Sequence, residues 1–513
     1  MATHTMAMRF SFLIVFLLML VACGMVLGDD ANVFNPFFKA VDHEIRDNHG
    51  QGDVIYLRGV NLGGWLLFED WQTPMDASGN LKDDWSVRDV LANHFGAETR
   101  DFLIASYEDA WITEADLDNI ATFGFNVIRL PFWYRNLQEE DGTWRNDGFK
   151  KIDWLVANAW KRHIYVILDF HGLPGGQSED KSTGHLREKS DFWNEENYRR
   201  STEIWQAIAT RFKDNPAVAA YDLINEPTGA PDRETLWNVY DRFYKAIRSI
   251  DPDPIITLEG CWGGQVDGKY MGWGLDALPC PKKFGWTNVV YQLHAYEYGG
   301  WNNPEKQRHK SEGIIRDINA HQCWNVPCLV GEFNCMGQAW DYSIHLYEDH
   351  QVNWTMWTYK ATKGTGTDSW GVYNRRDPPP STPDIEHDSS AEDIRNKWSR
   401  WTTDAAFAPN PNHLRDMAMP VPVDDRYTCR GGTKLVMDGP GVLANDTDLN
   451  PDKCKLTARL VSDPSHGSLI LNEDGSFTYT PTDMFLGVDH FRYRVFDGKH
   501  ESVLIGTVTI NVE

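Results

Sequence analysis

The chain has 513 residues, 74 of them acidic and 49 basic, for a formal net charge of −25. Hydrophobic residues make up 42 %, enough for a sizeable core, so wholesale disorder is excluded, and the length suggests a large domain with a smaller one beside it. The acid excess argues against nucleic acid, whose phosphates call for a Lys/Arg-rich face, and fits an uncharged partner.

The N-terminus reads as a targeting segment. Arg9 precedes an apolar run, Phe10 to Ala22, broken only by Ser11, and Gly28-Asp29-Asp30 follow. That run is too short to span a bilayer comfortably and matches a signal-peptide h-region. No other segment could span. Residues 1–28 are expected to be removed after Gly28 and the mature chain to be secreted. Leu20-Val21-Ala22-Cys23 also reads as a lipoprotein box, against the preferred reading that Cys23 lies in the discarded segment. The other cysteines are Cys261, Cys280, Cys323, Cys328, Cys335, Cys429 and Cys454. Export favours disulfides, and Cys429 with Cys454 is the one pair available in the C-terminal part. Zinc is disfavoured because no tight Cys-x-x-Cys pair occurs. Asn353 and Asn445 begin glycosylation sequons.

Between about residues 55 and 407 one rhythm repeats. Short apolar runs end in polar residues, and longer helix-like segments follow. The runs are Leu57–Trp65, Asn126–Phe132, Tyr165–His171, Ala219–Glu226, Ile255–Glu259, Val289–Tyr296, Cys328–Phe333 and Trp354–Tyr359. Helical patterns between them include Glu114–Thr122, Ile152–Arg162, Arg200–Phe212, Arg233–Ile250 and Lys310–His321. Such alternation predicts parallel βαβ units, and this many units predict an α/β fold, a (β/α)8 barrel over 29–407. An open doubly wound sheet would want a Gly-rich turn opening a helix after its first strand. Gly63-Gly64-Trp65 instead leads into a Trp- and acid-rich loop.

Barrel strands end at the face where catalysis is built. The run ends carry Asn61, Arg129, His171, Asn225 with Glu226, Glu259, His294 with Tyr296, Glu332 and Trp357. An acid on an apolar strand is costly unless paired or used. Taken singly, Glu226 and Glu332 could each be a capped or salt-bridged glutamate. Two at one barrel mouth suit glycosidic hydrolysis, which needs a proton donor and an opposing carboxylate.

These residues resemble glycoside hydrolase family 5, the cellulase-like family of retaining enzymes with a (β/α)8 fold. The resemblance rests on Asn225-Glu226-Pro227 and Gly331-Glu332-Phe333. It also rests on Asn126-Val127-Ile128-Arg129-Leu130-Pro131, His171, His294-Ala295-Tyr296 and Trp357, and it covers roughly residues 50 to 407. It implies that Glu332 is the nucleophile and Glu226 the general acid, later the base. Such a retaining pair lies about 5 to 5.5 Å apart. Arg129 beside Glu332 would favour its charged form, and Tyr296 could donate to the same carboxylate. Asn225 would bind the sugar 2-hydroxyl. His171 and His294 would hold hydroxyls or orient Glu226, against a plain structural role. Trp357 offers a flat face to a pyranose, against core packing. Glu259 is left open as sugar contact or salt-bridge partner. No metal or other cofactor is required.

The expected partner is a β-glucan polysaccharide or oligosaccharide. Gly59-Val60-Asn61-Leu62-Gly63-Gly64-Trp65-Leu66 and His171-Gly172-Leu173-Pro174-Gly175-Gly176-Gln177-Ser178 are similar to the exo-β-1,3-glucanase branch. Phe333-Asn334-Cys335 departs from it, since that branch has Trp after the nucleophile. Endo-β-1,4-glucanase and β-1,6-glucanase stay open, as does, in a different class, an inactive glycan-binding or adhesion protein.

All 22 tryptophans lie between Trp65 and Trp401, so the tail is built differently. Residues 408–425, rich in Pro and Asn, read as a linker. From about 426 the pattern turns to period two, with Phe477 and Tyr479, then Phe491, Tyr493 and Val495, alternating with polar residues. This predicts a small all-β sandwich over 426–513. Gly441–Asp448 and Asp474–Pro481 resemble bacterial Ig-like or cadherin-like repeats. Asp446, Asp448, Asn450 and Asp452 offer oxygen ligands for calcium, with an ion-free acidic turn the preferred reading.

Overall fold

The computed structural model describes residues 37–513, apart from 77–80, 262–264, 267–268, 271–273, 301–302, 336–338, 364–369, 389 and 452–453. The predicted signal segment with Cys23, and Asp452 of the acidic turn, lie outside the described residues.

Eight strands close into a parallel barrel: β1 (Arg58–Asn61), β2 (Val127–Trp133), β3 (Tyr165–Gly172), β4 (Val218–Asp222), β5 (Ile255–Glu259), β6 (Val289–Ala295), β7 (Cys328–Phe333) and β8 (Asn353–Met356). Each pairs with its sequence neighbour, and β8 returns to β1 with Trp354 opposite Arg58. Nearly every strand position is buried. Side chains fill the inside and helices cover the outside, which is why the strands read as continuous apolar runs. The fourth run is longer in sequence than in structure. Pairing stops at Asp222, yet Leu223 and Ile224 stay fully buried. Asn225 and Glu226 therefore ride on a loop anchored in the core.

The outer layer is α1 (Asp84–Phe95), α2 (Ala97–Trp111), α3 (Glu114–Thr122), α4 (Lys150–Trp160), α5 (Glu195–Phe212), α6 (Arg233–Arg248), α7 (Pro304–Ala320) and α8 (Ala339–Asp349). Their starts follow local chemistry. Asn194 caps α5 by accepting from the Asn197 N–H, and Asp232 caps α6 by accepting from the Thr235 N–H. The face of α5 carrying Ile204, Trp205 and Ile208 is buried, and Trp205 packs edge-on against Phe170 of β3.

One irregularity shapes the catalytic end. Between β6 and β7 the register steps from Leu293–Val330 to His294–Glu332, leaving Gly331 as the extra residue of a bulge. A Cβ on Gly331 would lie 2.2 Å from Gln292 Cδ. Glycine there lets the Gln292 amide lie against β7.

The chain continues through α9 (Ala391–Trp398) and α10 (Pro411–Met417). The 408–425 segment, read as a linker, is packed. α10 lies inside it, and Met417, Ala418 and Met419 join the barrel's own core cluster. The Met419 N–H donates to the Phe123 carbonyl at 2.8 Å. Pro and Asn here cap a short helix rather than mark an exposed tether, with Asn410 accepting from the Asn412 N–H and Pro411 in the first turn.

Beyond it lie β9 (Asp425–Cys429), β10 (Leu435–Met437), β11 (Thr457–Ser462), β12 (Gly467–Leu471), β13 (Phe477–Pro481), β14 (Gly487–Phe496) and β15 (Gly506–Val512). One sheet has the order β9-β15-β14-β11 and the other β10-β13-β12. Phe477 and Tyr479 from one and Phe491, Tyr493 and Val495 from the other share a single core, as the alternation predicted.

The expected disulfide does not form: Cys429 and Cys454 are both free thiols. Cys429 pairs with Val512, which faces Gly487 at the start of β14, whereas Cys454 packs against Gly498 beyond its other end. Ten residues of strand, about 30 Å, separate those ends, far beyond bridging distance. In the acidic turn, Asp446 accepts from the Val423 N–H (2.7 Å) and Asp448 from the Asn450 N–H (2.9 Å), so both tie down backbone.

Candidate active site

The eight predicted site residues form one connected network at the C-terminal ends of the strands. Its centre is Arg129 of β2, fully buried. Its Nη1 donates to Glu332 Oε1 (2.7 Å) and Asn61 Oδ1 (3.0 Å), and its Nη2 to Asn225 Oδ1 (2.9 Å) and Glu259 Oε1 (2.9 Å). Its Nε donates to Asp222 Oδ2 at 2.9 Å, and Asp169 Oδ2 lies 3.1 Å from Nη2. Only a planar guanidinium can serve this many acceptors at once.

Glu332, at the end of β7, takes a second donor, the Tyr296 hydroxyl, on Oε2 at 2.9 Å. Glu226 is held differently. His294 Nδ1 lies 2.8 Å from Glu226 Oε1, and His294 Nε2 lies 3.1 Å from Gln292 Nε2. An amide N–H donating to Nε2 leaves the proton of a neutral ring on Nδ1, aimed at Glu226. Burial drives the His294 imidazole down to about 3, so the ring stays neutral. Burial also pushes the Glu226 carboxyl up to about 7. One oxygen each of Glu226 and Glu332 lies within 4.8 Å of the other and of His294.

His171 is fixed between Asp169 and Asn225. Its Nδ1 lies 2.6 Å from Asp169 Oδ2 and its Nε2 3.4 Å from Asn225 Nδ2. It therefore lies against the Asn225 amide and orients it. With Oδ1 facing Arg129 and Nδ2 facing His171, the Asn225 amide has a single orientation. Trp357 stacks on His171, with ring centroids 5.3 Å apart and planes 13° apart. An aromatic rim continues outward from Tyr296, with Tyr298 at 5.5 Å and Trp370 at 5.9 Å, and Trp71 against Trp370.

Several residues here were not singled out from sequence. Asp169, Asp222 and Gln292 lie inside the barrel beneath the mouth, and Glu259 proves to be an internal partner of Arg129 and the Glu226 backbone. A signal existed: Asp169 stands two residues before His171, and Gln292 two before His294, so strand alternation puts each pair on one face. One guanidinium cannot offset four buried carboxylates, since each uncompensated buried charge costs several kcal/mol. Burial accordingly raises Asp169 to about 7, Asp222 to about 6 and Glu259 well above the usual carboxylate range. Glu69, after β1, was also missed. It accepts from the Trp71 and Gln72 side chains, and burial raises it to about 8.

The family model described as cellulase (glycosyl hydrolase family 5) matches residues 85–374, more than half of the chain. The chain belongs to glycosyl hydrolase family 5. It is a glycoside hydrolase, with a second match, to the bacterial cadherin-like domain, over residues 418–513. Among curated relatives, a beta-xylosidase of Phanerodontia chrysosporium is 28 % identical, covering 60 % of this chain and 68 % of the relative. A probable glucan 1,3-beta-glucosidase A of Aspergillus niger is 28 % identical over 69 % of this chain and 84 % of its own length. A probable glucan endo-1,6-beta-glucosidase B of Aspergillus flavus is 24 % identical over 60 % and 84 %. The family 5 match spans β2 to β8 entire, and so includes Arg129, Glu226 and Glu332.

Proposed function

We propose that this family 5 enzyme is an exported, retaining β-glucan hydrolase that releases sugar from chain ends, a glucan exo-1,3-β-glucosidase. The closeness of the two catalytic carboxylates carries the retaining part. The nearest oxygens of the two carboxylates lie within 4.8 Å, which fits the about 5 to 5.5 Å spacing of a retaining pair better than the about 6.5 to 9.5 Å of an inverting one. Glu332, backed by Arg129 and Tyr296, attacks the anomeric carbon. Glu226, protonated, gives its proton to the leaving oxygen. Once the glycosyl ester forms, the charge on Glu332 is gone, and Glu226 takes a proton from water that attacks the same carbon. The sugar 2-hydroxyl meets the Asn225 amide, and Trp357 faces the ring.

The loops support action at chain ends. The loop after β1 is stitched to the loop after β3 by the Asp70–Lys181 ion pair and by the Leu186 N–H donating to Asp83 Oδ2 at 2.6 Å. On its other side the Lys363 N–H donates to the Trp71 carbonyl at 3.1 Å, joining it to the chain after β8. A continuous wall on this half of the mouth favours a pocket over an open groove. The Aspergillus niger relative, named a glucan 1,3-beta-glucosidase, matches more of this chain at higher identity than the Aspergillus flavus relative named an endo-1,6-beta-glucosidase, which favours β-1,3-linked glucan, and the net charge suits a neutral polymer. Export rests on the apolar stretch Phe10–Ala22.

The test compares wild type with Glu332→Ala on laminarin, lichenan, carboxymethyl cellulose and pustulan. Glucose release from laminarin by wild type alone, with the β-anomer appearing first by NMR, is the expected result. An α-anomer as first product overturns retention, oligosaccharide products overturn exo action, and equal release by the variant overturns the nucleophile.

A further inference from the structure

The peptide bond joining Asn225 to Glu226 is held at both ends by side chains from elsewhere. Its carbonyl accepts from Gln177 Nε2 at 2.8 Å, and its N–H donates to Glu259 Oε2 at 2.7 Å. Both side chains belong to fully buried residues. Gln177, in the loop after β3, is fixed in turn. Its Nε2 also donates to the His171 carbonyl at 2.7 Å, and its Oε1 accepts from the Leu173 N–H at 3.1 Å. Glu259, at the end of β5, accepts on Oε1 from Arg129 Nη2 (2.9 Å) and Gln292 Nε2 (2.6 Å).

This peptide needs holding. Glu226 has φ of +40°, in the left-handed region that a residue with a Cβ avoids. Rotation of the peptide plane would relieve the strain, and would swing the two side chains that flank it. Those are the amide expected to meet the sugar and the carboxyl expected to meet the leaving oxygen. Such strain persists where the surroundings over-determine the conformation, and here two buried polar groups do so.

We propose that Gln177 and Glu259 form a two-sided clamp on the Asn225–Glu226 peptide and act as positioning residues for glycosidic cleavage, aiming Glu226 without touching substrate. Through Arg129 the same Glu259 carboxyl is linked to Glu332, so one framework sets both carboxylates. The inference rests on Glu226 being the acid/base.

Its test uses the full chain and two aryl β-glucosides, one with 2,4-dinitrophenolate and one with unsubstituted phenolate as leaving group. The first needs no proton on departure and the second does. In Glu259→Gln and Gln177→Met, kcat/KM should fall for both substrates, because the Asn225 amide loses its aim, and on the order of tenfold further for the phenyl glucoside, whose leaving group also needs the Glu226 proton. The double variant should lose little beyond the worse single variant, because both act on one peptide. Equal losses on the two substrates, or none, overturn the clamp in favour of a merely structural role. Glu226→Ala supplies the reference. If it lacks the leaving-group dependence, the acid/base assignment fails and the clamp with it, a result distinct from failure of the clamp alone. Thermal melts establish folding, and if Glu259→Gln does not fold, Gln177→Met and the isosteric Gln177→Glu carry the same comparison from the other side.

Discussion

Glu226 and Glu332 are the same side chain given opposite surroundings. Glu332 accepts from a guanidinium and a phenol, whereas Glu226 meets a neutral imidazole and a wall of buried groups. Desolvation, which disfavours charge, prevails at Glu226 and carries it to about 7. Activity should therefore fall as pH rises through about 7, because the acid form is consumed; a kcat/KM profile with no basic limb near that pH would contradict the assignment. Stability is linked to the same proton. The folded value lies above the ordinary 4.5, so the native state binds more protons and loses that advantage as pH climbs from about 4.5 to about 7. Glu226→Gln cannot titrate. Its stability relative to wild type, read from urea unfolding, should rise across that window by on the order of 3 kcal/mol and level off above it. A constant difference from pH 4 to 8 would show that Glu226 does not hold its proton.

Among the elements, β7 depends most on one residue. Gly331 lets the strand bulge beneath Gln292, and Gln292 is wedged among Asp222, Glu259 and His294. Gly331→Ala should cost about 1–3 kcal/mol in urea unfolding and lower kcat, because neither neighbour can give way; an unchanged midpoint would mean that Gln292 moves freely. The barrel strands were legible because burial on both faces leaves unbroken apolar runs, and β5 and β7 match their runs end to end. The end of β4 was not, since Leu223 and Ile224 are as apolar as a strand and as buried, yet lie past the last paired residue, Asp222. In the sandwich, the two ends of β14 keep Cys429 and Cys454 apart, so reductant should leave the melting temperature unchanged. A drop on reduction would reveal a bridge.

In the molecule as a whole, the sandwich is anchored to the base and flank of the barrel. Arg492 pairs with Asp53, just ahead of β1, and Arg494 Nη2 donates to the Val54 carbonyl at 3.3 Å. Lys499 Nζ lies 2.7 Å from Asp341 on α8. The Arg492–Asp53 pair lies ahead of β1, at the opposite end of the strands from Glu226 and Glu332. Arg492→Ala should then lower stability by about 0.5–1 kcal/mol, as a half-exposed pair does, and leave kcat/KM unchanged. A loss of activity without unfolding would show that the seam reaches the site.

The sequence alone determined the architecture, because hydrophobic period and turn chemistry are local and repeat along the chain. It also picked out Glu226, Glu332, Arg129, Asn225, His171, His294, Tyr296 and Trp357, since each stands at the end of a run and inside a recognisable motif. Only the tertiary structure decided what these residues do to one another. Four carboxylates converge on Arg129, His171 faces Asn225, and Gln177 and Glu259 grip a peptide of the loop after β4, to which neither belongs. Contacts between strands far apart in the chain, in a space too dry for unpaired charge, leave no periodic trace in any one strand.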